Sequence, residues 1–213
     1  MFTVTVPHNT LRALALIAPK DDVRIYLNGL LIDTTTPGRV MLVACDGHRA
    51  LVVGNAKVGG DIDSHLSRGQ FIVPIEAITS AKPVRKDPIE IQIDPITDIR
   101  ADYTVRGKLT GTGRTIDGRF PDWRRIIPTL RTGQGELAHF NLQYLGDFGR
   151  AAELLDCKYP HIVHNGECAA WINLGSDAFG ILMPIRGDTV IGCGGIVTWL
   201  DAVAPEYRTK KAA

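Results

Sequence analysis

The chain has 213 residues, 45% hydrophobic and 22% charged, with 24 Lys and Arg against 23 Asp and Glu for a formal net charge of +1. Those proportions match ordinary globular usage and exclude a disordered, collagenous or fibrous chain, while the length suits one or two domains of roughly 100 to 150 residues each. The near-neutral balance excludes a global basic field, so any nucleic-acid contact must come from local placement of charge.

Residues 2–6 alternate apolar and polar, the pattern of a half-buried strand. Leu11, Leu14, Ala15 and Ala18 then recur at helical spacing behind a candidate cap at Asn9 or Thr10. Strands are predicted over 23–27, 29–34, 40–45 and 50–53, punctuated by Pro37-Gly38 and by Asn28-Gly29, a favoured two-residue hairpin loop. A second segment opens with a strand at 70–73. Pro74 sits at the first turn of a helix over 75–81, and Pro83 closes it. Strands at 89–93, 99–103 and 107–112 follow, ahead of the stretch IDGRFPDWRRIIP at 116–128. A third segment predicts a strand at 135–140 and the clearest helix, 142–155, with Tyr144, Leu145, Phe148, Ala151, Ala152 and Leu155 on one stripe. Strands at 162–165, 168–174 and 179–183 complete it. The order strand, helix, three strands thus occurs three times, which predicts an α+β fold of repeated β-α-β-β-β units.

Residues 129–134 are short, polar and Gly-containing, as linkers between packed units are. The predicted organisation is a complete domain of two units over 1–128, a half domain of one unit over 134–186 and an extension over 187–213. The extension reads as a glycine-rich loop, a short apolar helix and a frayed basic end. No apolar run reaches the roughly 18 residues of a membrane span, and the first ten residues lack the basic start and apolar stretch of a signal peptide. A cytoplasmic protein without membrane contact is expected. Cys45, Cys157, Cys168 and Cys193 are too few for a disulfide scaffold and contain no CxxC pair, so reduced thiols are expected.

Three stretches stand out in order: Ala44-Cys45-Asp46-Gly47-His48-Arg49-Ala50-Leu51, then residues 117–128 with the pattern DGxFPDxRRxxP, then Ile181-Leu182-Met183-Pro184-Ile185-Arg186. Together they resemble the stretches that frame the partner-binding pocket of the bacterial β sliding clamp. Residues 1 to about 128 resemble that family's middle domain, and 134–186 resemble the second half of its last domain. The family's first domain and half of its third have no counterpart here.

The resemblance implies a DNA-clamp fold with helices lining a channel for duplex DNA and antiparallel sheets outside. A ring of twelve units is implied, so three units per chain would require four chains. The orphan third unit is expected to pair with the same unit of a second chain across a two-fold axis, because an unpaired sheet edge is an association site. The function implied is a processivity factor that encircles double-stranded DNA non-specifically, as a homo-oligomeric dimer or tetramer. It would dock DNA polymerase or repair proteins, and would need no cofactor, metal or catalytic residue. A structural or regulatory protein that keeps the fold without encircling DNA shares every fold-level signal.

By position, the resemblance maps a peptide groove onto Cys45, Gly47, His48, Arg49 and Ala50, then Pro121, Arg125 and Ile126, then Ile181, Leu182, Met183, Pro184, Ile185 and Arg186. Cys45 stands where the family usually has Thr, and Ala50 where Leu is common. The chain also runs on for 27 residues past Arg186, far enough for Trp199 and Leu200 to reach the groove. Phosphate contact must stay weak for sliding. Its candidates are Arg12 and Lys20 on the first helix, Lys82, Arg85 and Lys86 after the second, and Arg150 and Lys158 on the third.

Enzyme readings are weaker. Asp46 and His48 lie two apart on a tight turn, a spacing that does not itself bring a carboxylate to an imidazole nitrogen, even with a serine such as Ser176 at hand. Residues 187–195 lack both GxxxxGK[ST] and GxGxxG. Cys157, His161, His164 and Cys168 are zinc-ligand types, but around 161–165 a strand is predicted, on which residues three apart point to opposite faces.

Overall fold

A computed structural model describes residues 1–54, 56–60, 67–83, 87–128 and 138–185. Strand β1 (Phe2–Val6) buries Phe2, Val4 and Val6 and leaves its two threonines partly exposed, as its alternation dictates. Helix α1 (His8–Ala15) follows, and then β2 (Gly29–Asp33), β3 (Met41–Cys45), β4 (Arg49–Val53) and β5 (Lys57–Gly60). The second unit contains β6 (Gln70–Pro74), α2 (Ile75–Ser80), β7 (Ile89–Pro95), β8 (Ala101–Arg106) and β9 (Thr110–Arg114). The third contains α3 (Leu142–Leu154), β10 (His161–Val163), β11 (Ala170–Asn173) and β12 (Ala178–Leu182).

The strands form two antiparallel sheets, in the orders β5-β1-β7-β8-β9 and β10-β11-β12-β4-β3-β2-β6. Each of the first two units lends its leading strand to the other. β1 pairs with β7, Val4 opposite Ile91, and β6 pairs with β2, Ile72 opposite Leu31. The third unit joins the first through β12 and β4, with Ile181 opposite Ala50. α1 packs between α2 and α3. Strands β2 and β4 are buried at every position, which requires cover on both faces. One cover is the helix layer, over Leu30, Ile32, Leu51, Val53 and Leu182; the other, over Leu31, Val43, Ala50, Val52 and Ile181, includes Phe120 and Trp123.

Helix α3 is the best specified of the three. Asn141 caps it by accepting from the Gln143 amide at 2.9 Å, and Phe148, Ala151 and Ala152 form its buried stripe. Gly180 on β12 makes room for it, since a Cβ there would collide with the Phe148 ring.

Several sequence expectations need correction. Residues 23–27 form a turn and a short 3-10 helix (Ile25–Leu27) rather than a strand, with Val23 95% exposed. The Asn28 side chain accepts from the Asp22 amide at 2.8 Å and donates to the Asp22 carbonyl at 2.9 Å, which curls the chain. Asn28-Gly29 is therefore not a hairpin loop. β5 carries no alternation signal, β9 begins three residues later than expected, and α1 starts after Pro7 with no side-chain cap. Residues 138–140 are not in a strand, and the rest of that predicted strand, like 187–213, lies outside the described residues.

Candidate partner-docking groove and helix face

The turn between β3 and β4 is built by its own residues. Asp46 Oδ1 accepts from the His48 and Arg49 amides at 2.8 and 2.9 Å, and Gly47 adopts φ +90°, a left-handed conformation that disfavours a side chain. The Arg24 guanidinium donates to the Asp46 carbonyl at 2.9 Å and pairs with Asp22, whose carboxyl it holds down at about 2. Asp46 Oδ2 accepts from the Arg49 side chain at 2.9 Å. Both carboxylate oxygens are thus engaged away from the His48 ring, and the catalytic reading of Asp46 with His48 has no geometric support.

Around this turn the three stretches meet on the sheet face opposite the helices. Cys45 and Ala50 are cross-strand partners, Ile181 lies opposite Ala50, and all three join Leu27, Phe120 and Trp123 in one apolar cluster. Ile126 packs against its edge. Burial pushes the Cys45 thiol above its usual range, which keeps it neutral. Past the strand end the Met183 amide donates to the His48 carbonyl at 2.8 Å, and Met183 and Ile185 are each 38% exposed. Pro121, Arg125 and His48 are exposed at the surface.

Period-two alternation sends two groove candidates the other way. Arg49 and Leu182 are register partners that face the helix layer. Leu182 joins the helix-side core, and Arg49, only 8% exposed, pairs with Asp46 and with Asp147 of α3 while lying 4.3 Å over the Tyr144 ring. Burial would raise the Asp147 carboxyl, but hydrogen bonds from Arg49 and Arg150 outweigh it and hold the group below its ordinary value. Arg49 therefore ties the turn to α3 instead of presenting its charge to the groove. Arg186 lies outside the described residues.

One residue that the sequence reading missed anchors the site. Asp33, at the end of β2 and 0% exposed, accepts from Trp123 Nε1 at 2.9 Å, Arg124 at 2.7 Å, Gln70 at 3.0 Å and the Thr35 hydroxyl at 2.6 Å. Burial alone would raise its pKa; hydrogen bonds from Arg124, Thr35 and Trp123 prevail and lower it to about 2. Arg124 also stacks 4.4 Å from the Trp123 ring. The 3-10 turn Trp123–Ile126, which carries Arg125 and Ile126, is thereby pinned to the sheet. A carboxylate ending the apolar run GLLID was the available signal, since a buried charge demands partners.

On the helix face, an open cavity of about 640 Å³ between α1 and α2 is lined by apolar Leu11, Leu16 and Ile78 and by Arg12, Lys82 and Lys108. Lys108 was not anticipated; its amide donates to the Lys82 carbonyl, which brings the β8–β9 turn under the helices. His8, in the same lining, is shifted down by burial and by Arg12, which favours the neutral ring. Lys20, Arg150 and Lys158 are exposed, Arg150 paired with Asp147 and Lys158 5.2 Å over the Tyr159 ring. Arg85 and Lys86 lie outside the described residues. Among the described residues no cluster of three or more His, Cys, Asp or Glu is arranged to hold a metal ion, and no helix is long and apolar enough to cross a membrane.

The family model of the DNA polymerase III beta subunit, central domain, matches residues 4–122. The chain belongs to the β sliding-clamp family. The Vibrio cholerae β sliding clamp is 36% identical over 148 residues, which are 65% of this chain and 35% of that protein. The Escherichia coli β sliding clamp is 36% identical over 110 residues, 50% of this chain and 27% of that one, so the chain spans about a third or less of these curated relatives. Among solved structures, the Pseudomonas aeruginosa DNA polymerase III subunit beta aligns with TM-score 0.62 at 18% identity, over 86% of this chain and 66% of that one. The Helicobacter pylori β clamp bound to a DNA ligase peptide aligns with TM-score 0.62 at 12% identity, over 87% and 65%. At these identities the structures establish the clamp fold, an α+β arrangement of antiparallel sheets backed by helices.

Proposed function

We propose that this clamp-family chain is a non-enzymatic, cytoplasmic processivity factor that encircles double-stranded DNA as a homo-oligomer and docks replication or repair partners through a peptide groove. Residues 1–128 act as a complete clamp domain and 134–186 as a half domain, with 187–213 as an extension. The observation that carries the reading is the meeting of Cys45, Ala50, Ile126 and Ile181 beside exposed Met183, from three separated stretches, on the sheet face turned away from the basic helix layer. An extended peptide with a Gln and two apolar residues suits such a groove, where side-chain pockets give specificity and a flexible thioether adapts to its guest. In the groove, Cys45, Gly47, His48 and Ala50 form one wall and Pro121, Arg125 and Ile126 a second. Ile181, Met183, Pro184, Ile185 and Arg186 form a third, with Arg49 and Leu182 supporting from behind.

DNA contact falls to Arg12, Lys20, Lys82, Arg85, Lys86, Arg150 and Lys158, joined by Lys108. Retention on nicked circular DNA, followed by release when the circle is linearised, tests encirclement; equal retention on both, or on neither, would instead favour a clamp-fold regulatory protein. A labelled peptide carrying the Gln and apolar residues tests the groove: Met183→Asp should weaken its binding at least tenfold, and unchanged affinity would remove the groove assignment.

A further inference from the structure

The cavity between α1 and α2 has two kinds of surface. Its floor is apolar: Leu11 and Ile78 are each 3% exposed, and Ala15, Leu16 and Pro83 are half-buried. Its rim is cationic, with Arg12 on α1, Lys82 just past α2 and Lys108 in the β8–β9 turn all exposed. The Lys108 amide donates to the Lys82 carbonyl, and a Cβ on neighbouring Gly107 would collide with that carbonyl. The turn is thereby held against the end of α2, which brings cations from different elements to one mouth.

No carboxylate answers them. None of the lining residues is Asp or Glu, and neither Arg12, Lys82 nor Lys108 forms an ion pair with a described residue. By contrast, Arg24, Arg49, Arg100, Arg114, Arg124 and Arg150 each pair with an aspartate. The hydroxyl of Thr79, also in the lining, donates to the Ile75 and Glu76 carbonyls of its own helix, at 3.1 and 3.3 Å. Duplex DNA can meet the rim but not the floor, because its phosphates stand on the outside and its bases are stacked within. The volume, about 640 Å³, falls in the range of about 300 to 1,000 Å³ typical of small-molecule pockets.

We propose that this cavity binds an amphipathic organic anion. A narrow apolar body lies over Leu11, Leu16 and Ile78, and a single phosphate, sulfonate or carboxylate head sits between Arg12, Lys82 and Lys108. Removal of the body from water and charge-assisted hydrogen bonds to the head act together, so a molecule with both ends binds more tightly than either end alone. The site stands whether or not the chain encircles DNA.

His8 reports occupancy. Its ring is in the same lining, kept towards neutral by burial and by Arg12, and the other charges there, Lys82 and Lys108, are also positive. An anionic head among these groups raises the proton affinity of the ring, so binding tightens as pH falls through the histidine range.

Calorimetric titration of the full chain with octyl phosphate, below its micelle concentration, should show binding. Inorganic phosphate and 1-octanol, the two halves taken alone, should each bind at least about tenfold more weakly. Ala15→Leu fills the cavity and leaves every charge in place, while Lys108→Gln removes one rim charge from an exposed turn. Each should weaken octyl phosphate by at least about fivefold, with far-UV circular dichroism unchanged. The His8 ring, followed by nuclear magnetic resonance, should titrate at higher pH when the site is saturated. Inorganic phosphate that binds as well as octyl phosphate would make the cavity a plain phosphate-contact patch and overturn the proposal. Octanol that binds as well would make it a neutral apolar groove, with the same consequence. No binding, binding that either variant leaves unchanged, or saturation without a shift at His8 overturns it too. Because no arm contains DNA, failure of encirclement leaves this result standing, and the reverse also holds.

Discussion

Replacing Asp33 by Asn tests whether one buried carboxylate sets the geometry of the groove. The group is 0% exposed, and its carboxyl is lowered from 3.8 to about 2, which at about 1.4 kcal/mol per pKa unit corresponds to about 2.5 kcal/mol of native stability. Asn is nearly isosteric, but one carboxylate oxygen accepts from Trp123 Nε1, Arg124 and Gln70 and the other from the Thr35 amide, so its amide nitrogen meets a donor in either orientation. One buried donor left unmatched costs about 1 to 3 kcal/mol. Arg124 is 36% exposed and can recover some hydration, so the two estimates describe one loss rather than adding.

The expected outcome for Asp33→Asn is a loss of about 1 to 3 kcal/mol at pH 7, seen as a lower urea midpoint with unchanged slope. The pH dependence follows from the direction of the shift. A depressed carboxyl stabilises fully above its unfolded value, so the wild-type advantage should hold above about pH 4 and shrink towards pH 2 as Asp33 takes up its proton. Peptide affinity should fall with stability, because the turn bearing Arg125 and Ile126 is released from the sheet. A change below about 0.5 kcal/mol at pH 7, or a difference that persists undiminished at pH 2, would refute the anchoring role.

Phe148→Ala should cost about 3 to 5 kcal/mol by thermal or urea unfolding, since the ring fills the space between α3 and β12 and is 2% exposed. Gly180→Ala approaches the same packing from the other side; overpacking against Phe148 should cost about 1 to 3 kcal/mol, with faster amide exchange in α3. The pair Lys82→Glu and Lys108→Glu should leave folding intact but weaken DNA retention and flatten the slope of log affinity against log salt by about one to two, one for each phosphate no longer neutralised.

The repeat was legible because its elements are local. Alternation in β1, the apolar stripe of α3 and the proline ahead of α2 each act over a few residues, and the three short stretches could be matched without knowing how they meet. The errors arose where long-range or side-chain contacts overrode local pattern. Val23 and Ile25 look like strand residues, but the bonds between Asp22 and Asn28 close a turn around them. β5 reads as loop from KVGG and exists because β1 offers it an edge.

For the site, sequence position alone could list Cys45, Ala50 and Ile181 beside Arg49 and Leu182, because neighbours in a chain share a motif whichever way they point. Only the register of β4 against β12 decides that Ala50 and Ile181 face outward while Arg49 and Leu182 face the helices. The meaning of Asp33 was equally out of reach, since its main partners, Trp123 and Arg124, lie about ninety residues away. The amino-acid order by itself determined the local elements and the family, which rest on short-range periodicity and on motifs. The tertiary structure decided which face each side chain serves, because pairing between distant strands sets it.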